Sequence, residues 1–178
     1  MYSQNDEEKH ILAYFEGRFG SLYDIGAYDG KTFSNTLALL ERGWHGVLVE
    51  PSPAAFVGLM QNTKHVQERV DLVQAVVGLQ SGELCRFYDS GGDAVSTMNE
   101  AHRDKWEPAV GRMRPFWTPM VMLDGLLAQF GKAQFINLDV EGMNWPLFRV
   151  LPLEWEELQM VCVEHDGMEV QMEAVGKA

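Results

Sequence analysis

The sequence predicts an α/β fold with a mostly parallel central sheet and helices on both faces. Apolar runs of strand length alternate with stretches of helical spacing from Ser21 to Val163, which implies right-handed crossovers between parallel strands. A glycine-bearing turn, Tyr23-Asp24-Ile25-Gly26-Ala27-Tyr28-Asp29-Gly30, follows the first apolar run and precedes a helical pattern. Later runs end in Glu50, Asp139 and Glu164, at the strand ends where sheets of this class carry their sites.

The bulk properties suit one domain spanning residues 1–178. Apolar content of 46% and charged content of 22% are globular values. A net charge of −12 argues against a general nucleic-acid binder, which needs clustered Lys and Arg. From Asp139 onward, nine Asp or Glu face only Arg149 and Lys177. Cys85 and Cys162 form no disulfide framework and read as buried free thiols. Residues 1–10 are polar and acidic, unlike a secretory signal, and no apolar run reaches the roughly 18 residues of a membrane span. A cytoplasmic protein with no membrane partner is the expectation.

The elements follow in order. Asn5 or Asp6 can cap a first helix within residues 1–20, with Ile11, Leu12, Phe15 and Phe19 at helical spacing and Gly20 as its stop. This helix packs in front of the first strand, Ser21 to Ile25. Phe33 to Arg42 reads as a helix closed by Gly43. Trp44 to Val49 is the second strand. Ser52 caps a helix from Pro53 to Asn62, with proline at its first position. Val70 to Val77 reads as one strand, and Glu83 to Tyr88, after Ser81-Gly82, as another. Residues 90–119 break the pattern with Gly91-Gly92, Pro108, Gly111, Pro115 and Pro119, and read as an irregular insert or lid. Met120 to Leu123 resumes as a strand, Asp124 opens a helix to Phe130, and Phe135 to Leu138 is a strand. Trp145 to Leu151 is helical, Leu158 to Val163 is the last strand, and Glu169 to Val175 begins a further helix.

The chemistry of the first turn selects its ligand. A dinucleotide turn needs Gly-x-Gly-x-x-Gly, so that bare backbone can approach a pyrophosphate. Here Ala27, Tyr28 and Asp29 intervene; Tyr28 is bulky, and Asp24 and Asp29 repel phosphate. A nicotinamide oxidoreductase is thereby disfavoured, and no Gly-Lys-Ser/Thr makes a P-loop. The turn suits a nucleoside carrying positive charge and no phosphate, which is the chemistry of S-adenosylmethionine. Asp24 can meet its ammonium, directly or through water, and Glu50 can accept the ribose hydroxyls.

These stretches resemble the FkbM family of S-adenosylmethionine-dependent methyltransferases. The resemblance lies in Asp24 to Gly30, Phe33-Ser34-Asn35-Thr36, Gly46-Val47-Leu48-Val49-Glu50-Pro51, Leu138-Asp139-Val140-Glu141-Gly142 and Val163-Glu164-His165-Asp166-Gly167. It implies a Rossmann-like class I methyltransferase fold and transfer of a methyl group to a hydroxyl oxygen of a sugar or natural-product-like small molecule. Tyr28 stands where the family usually has Asn, and the chain has no room for the family's C-terminal β-hairpin. A weakened or truncated cofactor-binding module of the same fold is the alternative. The expected cofactor contacts are Asp24, Gly26, Ala27, Tyr28, Gly30, Ser34, Asn35, Thr36, Glu50, Pro51, Ser52, Ala75, Val76 and Asp139.

Methyl transfer needs an aligned acceptor and a place for its proton. Asp139, Glu164 and His165 are the catalytic candidates, with Asp139 nearest the transfer centre and both acidic strand ends expected near the middle of the sheet. Two roles stay open: His165 or Asp139 as general base, or Asp139, Glu164 and Asp166 as ligands of a Mg²⁺-like ion that acidifies the acceptor hydroxyl. Ser96, Thr97 and Met98 fall where the family tends to place a small polar group near the active site. His102 to Trp117 mixes Arg103, Lys105, Arg112 and Arg114 with Trp106, Phe116 and Trp117, an acceptor lid in which rings stack on the acceptor and Arg meets an acid or phosphate. His10, His45, His65 and His102 read as surface or structural.

Overall fold

The computed structural model describes residues 1–80, 82, 84–91 and 94–164. Its main sheet holds β1 (Ser21–Ile25), β2 (His45–Val49), β3 (Val70–Val73), β7 (Phe135–Leu138) and β8 (Met160–Val163) in the order β3-β2-β1-β7-β8. All its pairings are parallel. Every residue of β7 is buried, as are Leu22 to Ile25 of β1, because helices cover both faces. Strand periodicity sorts the two faces. Tyr23, Ile25, Val47, Val49, Ile136 and Leu138 pack with Leu123, Leu126 and Leu127 of α5 (Leu123–Phe130) and Leu147 of α6 (Asn144–Phe148). Leu22, Leu48 and Phe135 face the other way. They pack with Ile11 of α1 (Glu7–Tyr14), Phe15, Leu39 and Leu40 of α2 (Leu37–Glu41), Trp44 and Leu59 of α3 (Pro53–Asn62).

A smaller second sheet changes the sequence reading. The apolar run from Val70 to Val77 is two strands. After β3 pairs with β2, the chain bends at Gln74-Ala75, and β4 (Val76–Gly78) pairs with β6 (Arg114–Met122). An unbroken apolar run cannot reveal that its two halves pair with different partners. β6 also carries β5 (Leu84–Asp89) antiparallel on its other side, giving the order β4-β6-β5.

The expected insert at 90–119 is largely regular. It contains α4 (Glu100–Val110) and most of β6. Asn99 caps α4 by accepting from Ala101 and His102 N–H, and Gly111 ends it at φ 86°. No residue of α4 is buried, so the helix lacks the apolar stripe that betrays helices in sequence. Pro115 and Pro119, read as breakers, sit within β6 opposite Tyr88 and Leu84.

Smaller boundary corrections have local causes. Phe33 adopts φ 59° and is exposed, so helix α2 starts only at Leu37, after Ser34 Oγ has accepted the Leu37 N–H at 3.1 Å. The first helix stops at Tyr14, leaving Phe19 76% exposed rather than packed. Its N-terminus is held by neither Asn5 nor Asp6; Ser3 Oγ accepts the Glu8 N–H at 3.2 Å while the Glu8 carboxylate takes the N–H groups of Tyr2 and Ser3. The capping of α3 by Ser52, with Pro53 first, is as expected. Cys85 and Cys162 are free thiols, Cys85 buried and Cys162 half-buried. No helix among the described residues is long and apolar enough to cross a membrane. The proposed terminal helix, 169–175, lies outside the described residues.

Candidate active site

A cavity of about 350 Å³ opens at the carboxyl ends of β1, β2, β7 and β8, beside the start of β4. Its floor is the β1 turn. Gly26 has φ 89°, and its N–H and that of Ala27 both donate to Val49 O, at 2.9 and 3.0 Å. A β-carbon on Gly26 would lie 1.8 Å from Asp139 O, so only glycine lets the β1 and β7 ends approach this closely. Tyr28 takes a left-handed φ of 51° that turns its N–H onto Glu50 Oε2 at 2.9 Å. A bulky residue in this region is strained, and the bond to Glu50 helps hold it there.

Glu50 ties two turns together. Its other oxygen, Oε1, accepts the Ser52 N–H at 2.7 Å, and the residue is 6% exposed while lining the cavity. Burial pushes its carboxyl up to about 7; the two backbone N–H bonds oppose the rise, and Asp89 and Asp24 nearby add to it. Each carboxylate oxygen keeps capacity for one further donor.

Asp24 is more deeply placed than the sequence suggested. It is 2% exposed, with Thr36 Oγ1 donating to one oxygen at 2.5 Å and Asn137 Nδ2 to the other at 2.8 Å. Burial raises its pKa against both bonds. Asn137 Oδ1 in turn accepts from Asn35 Nδ2 at 3.1 Å, and Asn35 Oδ1 is buried without a hydrogen-bond partner among the described residues. Asp24, Asn137 and Asn35 all line the cavity, so a polar chain runs from the carboxylate to an unfilled acceptor. Sequence reasoning missed Asn137, although a polar side chain inside the run Phe-Ile-Asn-Leu was its signal.

The β7 and β8 ends carry the acids. Asn144, fully buried, accepts the Val140 N–H at 2.7 Å and donates to Glu164 Oε2 at 3.1 Å, linking the two strand ends. Ligand oxygens of Asp139, Glu141 and Glu164 lie within 4.8 Å of one another. Glu141 joins Asp139 and Glu164 in this group; the expected third ligand Asp166, and His165, lie outside the described residues. β7 is interior to the sheet, so Asp139 ends a central strand, and β8 is the last strand on that side among the described residues.

Ala94 to Met98 run along the cavity wall. Asp89 accepts from Ser52 Oγ at 2.9 Å, and Thr97 Oγ1 donates to Glu141 O at 2.7 Å. His102, which the sequence left without a partner, sits 3.0 Å from Glu141 with its side chain 9% exposed. Ser96, Thr97 and Met98 line the cavity, and so does Trp106 from α4.

Of the expected cofactor contacts, Asp24, Gly26, Ala27, Tyr28, Ser34, Asn35, Glu50, Pro51, Ser52, Ala75, Val76 and Asp139 line this cavity, as does Glu164. Gly30 and Thr36 stand outside the lining. Gly30 backs onto Leu59, and Thr36 holds Asp24. Asp29 is turned away as well; its oxygens accept from Lys31 N, Thr32 N and Thr32 Oγ1. The arginines of the expected lid are also elsewhere. Arg103 binds Asp104 and lies over the Tyr88 ring, Arg112 joins a shallow hollow with Glu107, and Arg114 is exposed on β6. Phe116 packs on Phe87, and Trp117 is exposed.

A parallel sheet in this order, with its cavity at the first βα turn and acids on the later strand ends, defines a Rossmann-like methyltransferase fold. The chain belongs to the methyltransferase FkbM domain family, whose pattern matches residues 24–174, and is a methyltransferase by family. No curated protein and no solved structure matches the chain at a significant level.

Proposed function

We propose that the protein transfers a methyl group from S-adenosylmethionine to a hydroxyl oxygen of a sugar or natural-product-like small molecule. Glu50 carries this reading: a buried carboxylate at the end of β2, lining the cavity, with one acceptor position left on each oxygen. Those positions suit the two ribose hydroxyls, and the negative charge rejects a phosphate there. Asn35 Oδ1, buried without a hydrogen-bond partner among the described residues, suits the ammonium of the methionine part, with Asp24 behind it as the countercharge. The close approach of Gly26 to Asp139 leaves the floor bare where the donor's chain passes.

The donor supplies a sulfonium-activated methyl group, which passes in line to the acceptor oxygen while the electron pair of the broken carbon–sulfur bond stays on sulfur. Asp139 lines the cavity with its carboxylate exposed, beside Glu141 and Glu164, and takes the proton that the acceptor hydroxyl loses. Asn144 fixes Glu164, and the His102–Glu141 contact fixes the segment along the cavity wall. A divalent cation on Asp139, Glu141 and Glu164 is a second reading, favoured by the convergence of those oxygens; it would acidify the hydroxyl in place of a base.

Calorimetry with S-adenosylhomocysteine tests the cofactor half. Binding to the intact protein that Glu50→Ala abolishes is the expected result, and no binding sinks the reading. Methyl incorporation across glycans and natural-product alcohols tests the transfer half; binding without turnover on any of them favours a cofactor-binding module.

A further inference from the structure

We propose that the N-terminal arm, residues 2–8, is part of the donor site and that Gln4 holds the carboxylate of the donor's amino-acid tail. The protein thereby selects donors whose carboxylate is intact. The inference rests on the S-adenosylmethionine reading and adds the residue and the segment that receive the end of the tail.

The chemistry of the wall comes first. The methionine part ends in an ammonium and a carboxylate, and a carboxylate only accepts hydrogen bonds, so it needs a donor. Among the described residues, the side-chain amides lining the cavity are Gln4, Asn35 and Asn137. Asn137 donates to Asp24 and accepts from Asn35. Asn35 donates to Asn137 and to Cys162 Sγ, leaving Oδ1, an acceptor that suits the ammonium and would repel a carboxylate. The hydroxyls beside it on the wall, Thr32 and Ser34, are bonded to Asp29 and Thr36. Gln4 is exposed, and its amide makes no hydrogen bond among the described residues. Both of its N–H groups are therefore open to a carboxylate.

The placement comes second. Ser3 pairs with Phe33 in a parallel bridge, which lays the arm along the segment from Thr32 to Asn35 on the cavity wall. Phe33 holds φ 59° there, a conformation that costs a bulky residue energy and that clusters at functional sites. The residues on either side of Gln4 are tied back. Ser3 Oγ donates to Asn5 O at 2.8 Å, and Asn5 N and Nδ2 both donate to Glu7, each at 2.9 Å. Glu8, 5% exposed, accepts the N–H groups of Tyr2 and Ser3, so the arm is anchored on α1, whose Ile11 lies in the core.

Glu8 does not line the cavity. It is a positioning residue that acts through the arm and so through Gln4. A segment that only covered the cavity would, once loosened, weaken every ligand alike. A contact to the tail carboxylate acts only on ligands that carry it, and this difference separates the two roles.

The test titrates three ligands calorimetrically into the full chain: S-adenosylhomocysteine, its decarboxylated analogue, which keeps the amine, and methylthioadenosine, which lacks the tail. The wild-type protein should bind S-adenosylhomocysteine about tenfold more tightly than the decarboxylated analogue. Gln4→Ala should weaken S-adenosylhomocysteine by about tenfold and the other two by less than about twofold. Gln4→Glu should weaken it further, because it sets like charge against the carboxylate. Glu8→Ala should reproduce the selective loss by freeing the arm; the exposed Gln4→Ala tests the contact even where Glu8→Ala does not fold. Equal wild-type affinity for S-adenosylhomocysteine and the decarboxylated analogue, an unchanged S-adenosylhomocysteine affinity in Gln4→Ala, or an equal loss for all three ligands each overturns the proposal while leaving the cofactor reading intact. Failure of S-adenosylhomocysteine to bind the wild-type protein defeats the cofactor reading, and this one with it.

Discussion

Gly26 and Asp139 meet backbone to backbone: a β-carbon added to the glycine would sit 1.8 Å from the aspartate's carbonyl oxygen. This contact brings the floor of the cavity and the acid of the proposed transfer centre together. We predict that Gly26→Ala, which must also hold alanine at φ 89°, costs about 3 kcal/mol of stability and most of the S-adenosylhomocysteine binding. Urea unfolding and calorimetry read the two effects, and a variant as stable as the parent contradicts the contact.

Glu50 should make both stability and binding depend on pH. Its carboxyl titrates at about 7 in the folded chain against 4.5 ordinarily, so the folded state holds its proton more tightly than the unfolded one. Its contribution is therefore fully present below 4.5 and is lost as pH rises through 7, a change of about 3 kcal/mol at most. Hydroxyl donors favour the ionised form, so donor binding should strengthen up to about pH 7, then level, and release a proton near neutrality. Titrations in buffers of different ionisation enthalpy measure that proton. Glu50→Gln should bind more weakly and lose the dependence; an unchanged pH profile in the variant counts against the assignment.

The Asn35 prediction separates the two ends of the donor. Asn35→Ala should weaken S-adenosylhomocysteine by about tenfold and leave methylthioadenosine, which lacks the amino-acid tail, nearly unaffected. Equal losses for both ligands would place Asn35 on the nucleoside instead. Asp24→Asn should in addition destabilise the apoprotein by about 1–3 kcal/mol, because an amide at this buried site presents a donor to Thr36 Oγ1 or Asn137 Nδ2, which now donate to the carboxylate.

Asp139→Asn should lower turnover by about 10²–10⁴-fold while S-adenosylhomocysteine affinity changes little. Single-turnover methylation with a matched binding titration reads both. Activity that persists in a chelator removes the cation reading of Asp139, Glu141 and Glu164; activity that a chelator abolishes and Mg²⁺ restores supports it instead of the base.

Much of this site was legible along the chain because its parts obey local rules. Gly26, Glu50 and Ser52 follow from turn and cap chemistry at strand ends, which residues next to them in sequence reveal even though Glu50 also binds the distant Tyr28. Trp106 was legible only as one ring of an expected acceptor lid, and His102 only as a surface or structural residue. They sit on a helix without a buried face, in a stretch whose prolines mimic a loop, and they reach the site only because Thr97 and His102 dock on Glu141, some forty residues later.

Periodicity and strand-end residues were enough for the parallel sheet and its first turn, since burial on both faces writes continuous apolar runs into β1 and β7, and the resemblance of its motifs was enough for the family. The folded chain alone decided the second sheet, the retreat of Asp24 behind Asn137 and Asn35, and the meeting of Glu141 and Trp106 in one cavity wall. Each of these depends on which distant segments share a hydrogen bond or a wall, a quantity that local pattern does not carry.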